Sequence, residues 1–315
     1  MKSLSVAIPL LLSLTSGCAY DPDGGDVDVG ESEHEGRLVN GRLVNGRLVN
    51  GRLVNGTEFS GTIASVSLDH VLVGNQYLKD VLLTDGEFSR EKHRTANFEG
   101  AVFEATLTDG NVIPIEITSI RQAESDLLAY SLSYDTGEGW SPVCVDAGGL
   151  EVEAYALSGV WDMTEGTSTG GKRIPSNEAF TFACRTVGAI GKCVDFGYVP
   201  WREVDGTKLV TYHETCVRAV RADWCGDGRA WTVNGTTINL YDRKSVQEDS
   251  ELFAPEAEWH ANGVTCLNSL RVLAGELRGE QVPECGKAKQ TLTCGFSMAT
   301  AKSSTLLLTE RLLFQ

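Results

Sequence analysis

The chain has 315 residues, 42% of them hydrophobic and 22% charged, a balance that supports a packed core and excludes wholesale disorder. Its formal net charge of −16 argues against nucleic acid as a partner and against docking on anionic headgroups. Of its nine cysteines, Cys18 stands apart near the start, and the other eight lie between Cys144 and Cys294.

The first segment reads as an export signal. Lys2 is a minimal positive region, Val6 to Leu14 is apolar, and the small residues Ser16 and Gly17 precede Cys18. The apolar run is too short for a bilayer-spanning helix, which needs roughly 20 residues. A cleaved signal at 1–17 is therefore expected, with Cys18 as the lipidated first residue of a bacterial lipoprotein. Thr15 stands where lipoprotein signals usually carry Leu, and ordinary cleavage near Gly17 or Ala19 is the alternative. Ala19, rather than Asp, after the cysteine resembles the outer-membrane sorting pattern. The expected partner is the membrane, reached through acyl chains that contribute about 0.8 kcal/mol per buried CH₂.

Residues 18–35 carry Asp21, Asp23, Asp26, Asp28, Glu31, Glu33 and Glu35 around Pro22 and Gly24-Gly25, which reads as a self-repelling tether. No Glu-terminated loop follows that would close a calcium site. Gly36 to Asn55 is four identical copies of Gly-Arg-Leu-Val-Asn. A period of five fits neither strand nor helix, although it fits a square β-helical coil. Pentapeptide-repeat proteins look similar but place Asn or Asp, not Arg, before the inward Leu. So few copies make too little coil to bury a core, so a stalk over 36–61 is the expectation.

From 62 to 125 the pattern is β. Ala101–Thr108 and Val112–Ile120 flank Asp109-Gly110-Asn111, a hairpin signature. Leu127–Tyr134 and Leu150–Leu157 add strands. Gly166 to Lys172 is a loop rich in Gly and Thr. Thr207 to Arg221 repeats Leu209, Tyr212, Cys216, Ala219 and Val220 at near-helical spacing, and Cys225-Gly226-Asp227-Gly228 stops it. Val233-Asn234-Gly235-Thr236 reads as a turn into a strand at Thr237–Tyr241. The fold class expected is α+β and β-rich, with antiparallel sheets and one or two short disulfide-tethered helices.

The stretch from Cys216 through Ala222-Asp223-Trp224-Cys225 to Gly228, followed by Thr232 to Asp242, resembles the signature of the ADYC-domain proteins. Here Trp224 replaces the Tyr of the tetrapeptide. Gly191 to Tyr198 with Pro200-Trp201 is similar to the family's upstream block, and Glu258-Trp259 with Cys266 to its downstream block. The resemblance runs from Leu127 to Leu270 and suggests a disulfide-rich domain over 126–315. It implies a secreted or lipid-anchored bacterial protein and carries no activity with it.

The eight cysteines Cys144, Cys184, Cys193, Cys216, Cys225, Cys266, Cys285 and Cys294 are expected to form disulfides, the usual state outside the cytoplasm. No Cys-x-x-Cys or Cys/His cluster at metal spacing occurs, so no metal or cofactor is expected. Three pairs share a nine-residue offset: 184/193, 216/225 and 285/294. Nine helical residues span about 13 Å, well beyond disulfide reach. Longer-range partners are therefore expected for Cys216 and Cys225.

Two functions follow. One is a non-catalytic envelope module that binds a protein or glycan, to which Trp201, Trp224, Trp231 and Trp259 are suited. The alternative is a secreted hydrolase using His213, Asp223 and Asp227, with the histidine as base and the carboxylates as an acid/base or cation pair. Gly166-Thr167-Ser168-Thr169-Gly170 fits the Gly-x-Ser-x-Gly pattern, but that pattern requires a helix after the serine, and Lys172 to Ser176 is no helix start.

Overall fold

The computed structural model describes residues 62–90, 97–137, 139–146, 148–232, 236–249, 254–271, 284–290, 294–295 and 297–311. The expected signal peptide, Cys18, and the expected acidic tether and stalk lie outside these residues, as does most of the expected turn at 233–236. No helix among the described residues is long and apolar enough to cross a membrane.

The first layer is a closed six-stranded barrel. Its strands are β1 (Ile63–Ser67), β6 (Val102–Leu107), β7 (Val112–Glu124), β8 (Leu127–Asp135), β10 (Ala154–Ser158) and β13 (Ala179–Cys184). They pair antiparallel in the order β1-β13-β10-β8-β7-β6, and β6 returns to β1. Closure leaves no edge strand in the ring. The expected hairpin is β6–β7, with Ala105 opposite Ile113. Short β2 (Val71–Val73), β3 (Gln76–Leu78) and β9 (Trp140–Pro142) extend the sheet beyond the ring. A separate hairpin, β4 (Val81–Thr84) with β5 (Glu87–Arg90), sends Phe88 into the barrel core against Phe103 and Phe180, at centroid distances of 5.0 and 5.1 Å.

The alternation of side chains along β8, β10 and β13 joins the barrel to a second layer. Tyr130, Leu132, Ala154, Ala156, Phe180 and Phe182 point into the barrel core. Leu127, Ala129, Tyr155, Leu157 and Ala183 point the other way, into a second core. Strands buried on both faces lose the polar half of their alternation, which is why β10 reads as a continuous apolar run.

That second core is covered by α1 (Ala189–Asp195), α2 (Val210–Arg221) and a four-stranded antiparallel sheet. The sheet order is β16 (Ile238–Asp242), β19 (Leu307–Arg311), β17 (Ala254–His260) and β18 (Gly263–Leu267). A third helix, α3, covers Glu284–Gln290. Two further two-stranded ribbons are β11 (Val160–Trp161) with β12 (Arg173–Ile174), and β14 (Glu203–Val204) with β15 (Thr207–Lys208).

All eight cysteines pair: Cys144–Cys184, Cys193–Cys216, Cys225–Cys285 and Cys266–Cys294. None of the nine-residue offsets is bridged. Cys193–Cys216 ties α1 to α2, and Cys225–Cys285 ties α3 to the turn after α2. The chain is strand-rich with antiparallel sheets, as expected, and its helices are few but number three among the described residues.

Several details depart from expectation. The helix begins at Val210 rather than Thr207, because Thr207 and Lys208 are held in the β14–β15 ribbon. The strand expected from Leu150 begins at Ala154, since Glu151 makes only an isolated bridge to Val145. The division placed at 125/126 falls inside the tight β7–β8 hairpin, so the barrel runs through it.

Candidate functional site

Helix α2 ends in a left-handed residue, Ala222, at φ 52° and ψ 41°. The Ala222 N–H bonds the Ala219 carbonyl and the Asp223 N–H bonds the Arg218 carbonyl, the paired closure of a Schellman motif. Asp223 is fully buried directly after it. Its carboxylate pairs with Arg218 and accepts from the Asp227 and Gly228 amides at 3.1 and 3.0 Å. Trp224 then stacks on Trp231 with centroids 5.6 Å apart, and Cys225 leaves for α3 through its disulfide.

The Gly166–Gly170 loop docks on this turn. Gly166 N–H donates to the Asp227 carbonyl at 2.8 Å, and Arg218 donates to the Gly170 carbonyl at 2.6 Å. A Cβ on Gly170 would lie 2.3 Å from the Asp227 carbonyl oxygen, so only glycine lets the two turns approach this closely. Ser168 sits on the exposed outer side, and the strand β12 follows it, not a helix. The serine-hydrolase pattern therefore lacks its structural context.

The three candidate catalytic residues do not form a site. Asp223 is consumed by Arg218 and turn amides. Asp227 accepts from the Arg229 amide at 3.1 Å. His213 is fully buried near the other end of α2, where its Nε2 meets the Ile190 carbonyl at 2.9 Å and its ring packs edge-on to Trp161. Burial pushes its pKa down to about 4, with the Ile190 bond opposing and Arg173 adding to the shift.

A different set of residues does converge. A cleft of about 270 Å³ opens between the barrel and the N-terminal half of α2, its lining including Asp85, Trp161, Arg173, Trp201, Lys208 and His213. Trp201 is half-buried and held in place by two backbone groups. Its Nε1 donates to the Asp126 carbonyl at 3.2 Å, and its ring lies on Gly86, where a Cβ would come within 2.5 Å of it. Arg173 is fixed by donating to the Ser158 carbonyl at 2.8 Å and lies 3.9 Å from Glu214. Lys208 is exposed beside it. Of the four tryptophans suited to binding, only Trp201 reaches this cleft; Trp224, Trp231 and Trp259 are core. Trp161 and Arg173 face each other across the β11–β12 ribbon and Lys208 lies in the β14–β15 ribbon, with no motif around them. Of the cleft residues only Pro200-Trp201 and His213 drew notice in the sequence.

Three carboxylate-bearing clusters elsewhere are structural. Asp195 accepts from Tyr155, Arg185 and the Thr186 amide. Glu256 receives a buried bidentate Arg271, which also donates to the Ala219 and Val220 carbonyls at the end of α2. Glu258 lies beside Cys266 and Cys294, but those sulfurs are bonded to each other, and its carboxylate is taken by the Lys302 amide and the Thr305 hydroxyl.

The sequence matches the model of the ADYC domain family over residues 95–273. The chain belongs to the ADYC domain family. No curated protein and no solved structure matches it. In this ADYC protein the name-giving tetrapeptide is a structural device: a left-handed stop, a buried carboxylate cap, a stacked aromatic and a half-cystine. Trp224 serves the aromatic position through its ring face. The matched span is narrower than the folded body, because β1, which closes the barrel, and β19, which is internal to the second sheet, both lie outside it. The ADYC cysteines Cys225 and Cys266 likewise find their partners, Cys285 and Cys294, beyond residue 273.

Proposed function

We propose that this ADYC protein is a cell-envelope lipoprotein, anchored through Cys18, that binds its ligand without transforming it. The ligand would sit in the cleft of Trp161, Trp201, Arg173 and Lys208, and Ala19 after the cysteine supports anchoring in the outer membrane. One observation carries this reading. The two carboxylates of the hydrolase alternative, Asp223 and Asp227, are each tied to local backbone and lie outside the cleft, where two tryptophans and two cations gather around His213 instead. Four disulfides suit an oxidising compartment, which supports an envelope location.

The test uses the full-length protein purified with its native amino terminus. Intact mass should show an acylated Cys18. Co-sedimentation with isolated envelope, measured on the unacylated Cys18→Ala protein so that no lipid anchor contributes, should be retained by that protein and reduced at least tenfold when Trp201→Ala and Lys208→Glu are added. No soluble fragments should be released from the envelope on prolonged incubation. Steady release of fragments that is abolished by Asp227→Asn would instead favour the hydrolase.

A further inference from the structure

We infer that the cleft recognises a carbohydrate, whose hydroxyls complete the bonding of the Trp161 Nε1–H and the His213 Nδ1. This deepens the binding-module reading and rests on it. Both residues line the cleft, both are at least nine-tenths buried, and both hold a ring nitrogen with no hydrogen-bond partner. Buried polar groups left unpaired are rare in folded proteins, and two at one cleft mark a place where something else completes the bonding.

The chemistry of the two atoms narrows what that is. The His213 Nε2 faces a carbonyl, which only accepts, so Nε2 carries the hydrogen. A neutral ring then presents a bare lone pair at Nδ1, and the low pKa forced by burial keeps the ring neutral. The Trp161 indole offers only a donor. The pair is thus one donor and one acceptor, from rings whose centroids are 5.8 Å apart. A carboxylate or phosphate oxygen can accept from Trp161 but is repelled by the Nδ1 lone pair. An ammonium can serve His213 but not Trp161. A hydroxyl serves both.

The rest of the cleft fits the same ligand. The Trp201 ring is clamped between Gly86 and Asp126, which pre-sets an aromatic surface of the kind that takes the C–H face of a pyranose. Arg173 and Lys208 supply donors for further hydroxyls.

The experiment is an indole ¹H–¹⁵N titration of the full mature protein with chitotriose, maltotriose and trigalacturonate. Trp161→Phe and Trp201→Phe assign two of the six tryptophan signals. At least one saccharide should shift the Trp161 and Trp201 signals saturably and leave those of Trp224, Trp231 and Trp259 in place. His213→Phe, which keeps the ring volume and removes the acceptor, should weaken that saccharide tenfold or more. If no saccharide moves the Trp161 signal while envelope co-sedimentation still depends on Trp201 and Lys208, the carbohydrate assignment is overturned and the binding module stands. If co-sedimentation ignores both substitutions, the cleft itself is overturned as the binding site.

Discussion

Arg218 and Asp223 form a fully buried ion pair that folds back over the end of α2, five residues apart across the left-handed Ala222. Asp223 also holds the Asp227 and Gly228 amides, and Arg218 also holds the Gly170 and Ala261 carbonyls. The pair therefore ties the helix end, the cysteine turn and the Gly-Thr loop into one unit.

Breaking that pair should be costly. Removing one partner of a buried ion pair strands the other charge and typically costs about 3–5 kcal/mol. Asp223→Ala is expected to lose stability of that order in urea denaturation, and Asp227→Ala far less, because Asp227 is partly exposed. A well-folded Asp223→Ala protein with a lost ligand response would point instead to a functional carboxylate.

The covalent frame extends past the family match, so its last part should be indispensable. Replacing Cys266 and Cys294 by Ala opens a bridge spanning 28 residues and is expected to cost about 2–5 kcal/mol. A fragment of residues 95–273 lacks β1 and β19 and should show no cooperative thermal unfolding, whereas residues 62–311 should. Non-reduced peptide mapping should return the four pairings described above.

Acid should weaken the fold through His213. Its pKa falls from 6.5 in the unfolded chain to about 4 in the folded protein. As pH drops, the unfolded state takes the proton first. The contribution is therefore intact above about 6.5 and is lost progressively between there and about 4, the loss reaching about 3 kcal/mol at the lower end. His213→Phe should flatten this part of the stability curve, measured as the difference in urea midpoint between pH 7 and pH 4. Equal pH slopes in the two proteins would contradict it.

The Gly-x-Ser-x-Gly resemblance separates cleanly into two substitutions. Ser168→Ala, on an exposed loop, should leave stability within about 0.5 kcal/mol of wild type. Gly170→Ala forces a Cβ onto the Asp227 carbonyl and should lower the melting temperature clearly. Neither should change the rate of any ester hydrolysis above background.

Local signals were legible in the residues themselves. The β6–β7 hairpin follows from Asp109-Gly110 between alternating runs, α2 from its apolar spacing, and its stop from the residues after Arg221. These depend on backbone geometry within a few positions. The cysteine partners were not legible for the opposite reason: the sequence pointed Cys216 and Cys225 to longer-range partners but could not name them, because a disulfide is set by distance in space and not by spacing in the chain. His213, Asp223 and Asp227 were noticed for their chemistry, yet burial and neighbouring amides occupy that chemistry. Trp161, Arg173 and Lys208 escaped notice since each sits in a two-residue strand without local pattern.

By itself, the sequence determined the β-rich composition, the family, the set of cysteines free to pair and the polar groups available for chemistry. Tertiary structure alone decided that six strands close into a barrel, that Cys225 and Cys266 reach beyond residue 273, and that a cleft forms beside α2. Each of those outcomes requires segments tens of residues apart to meet, and the energy of meeting lies in burial and hydrogen bonding that no short stretch of chain contains.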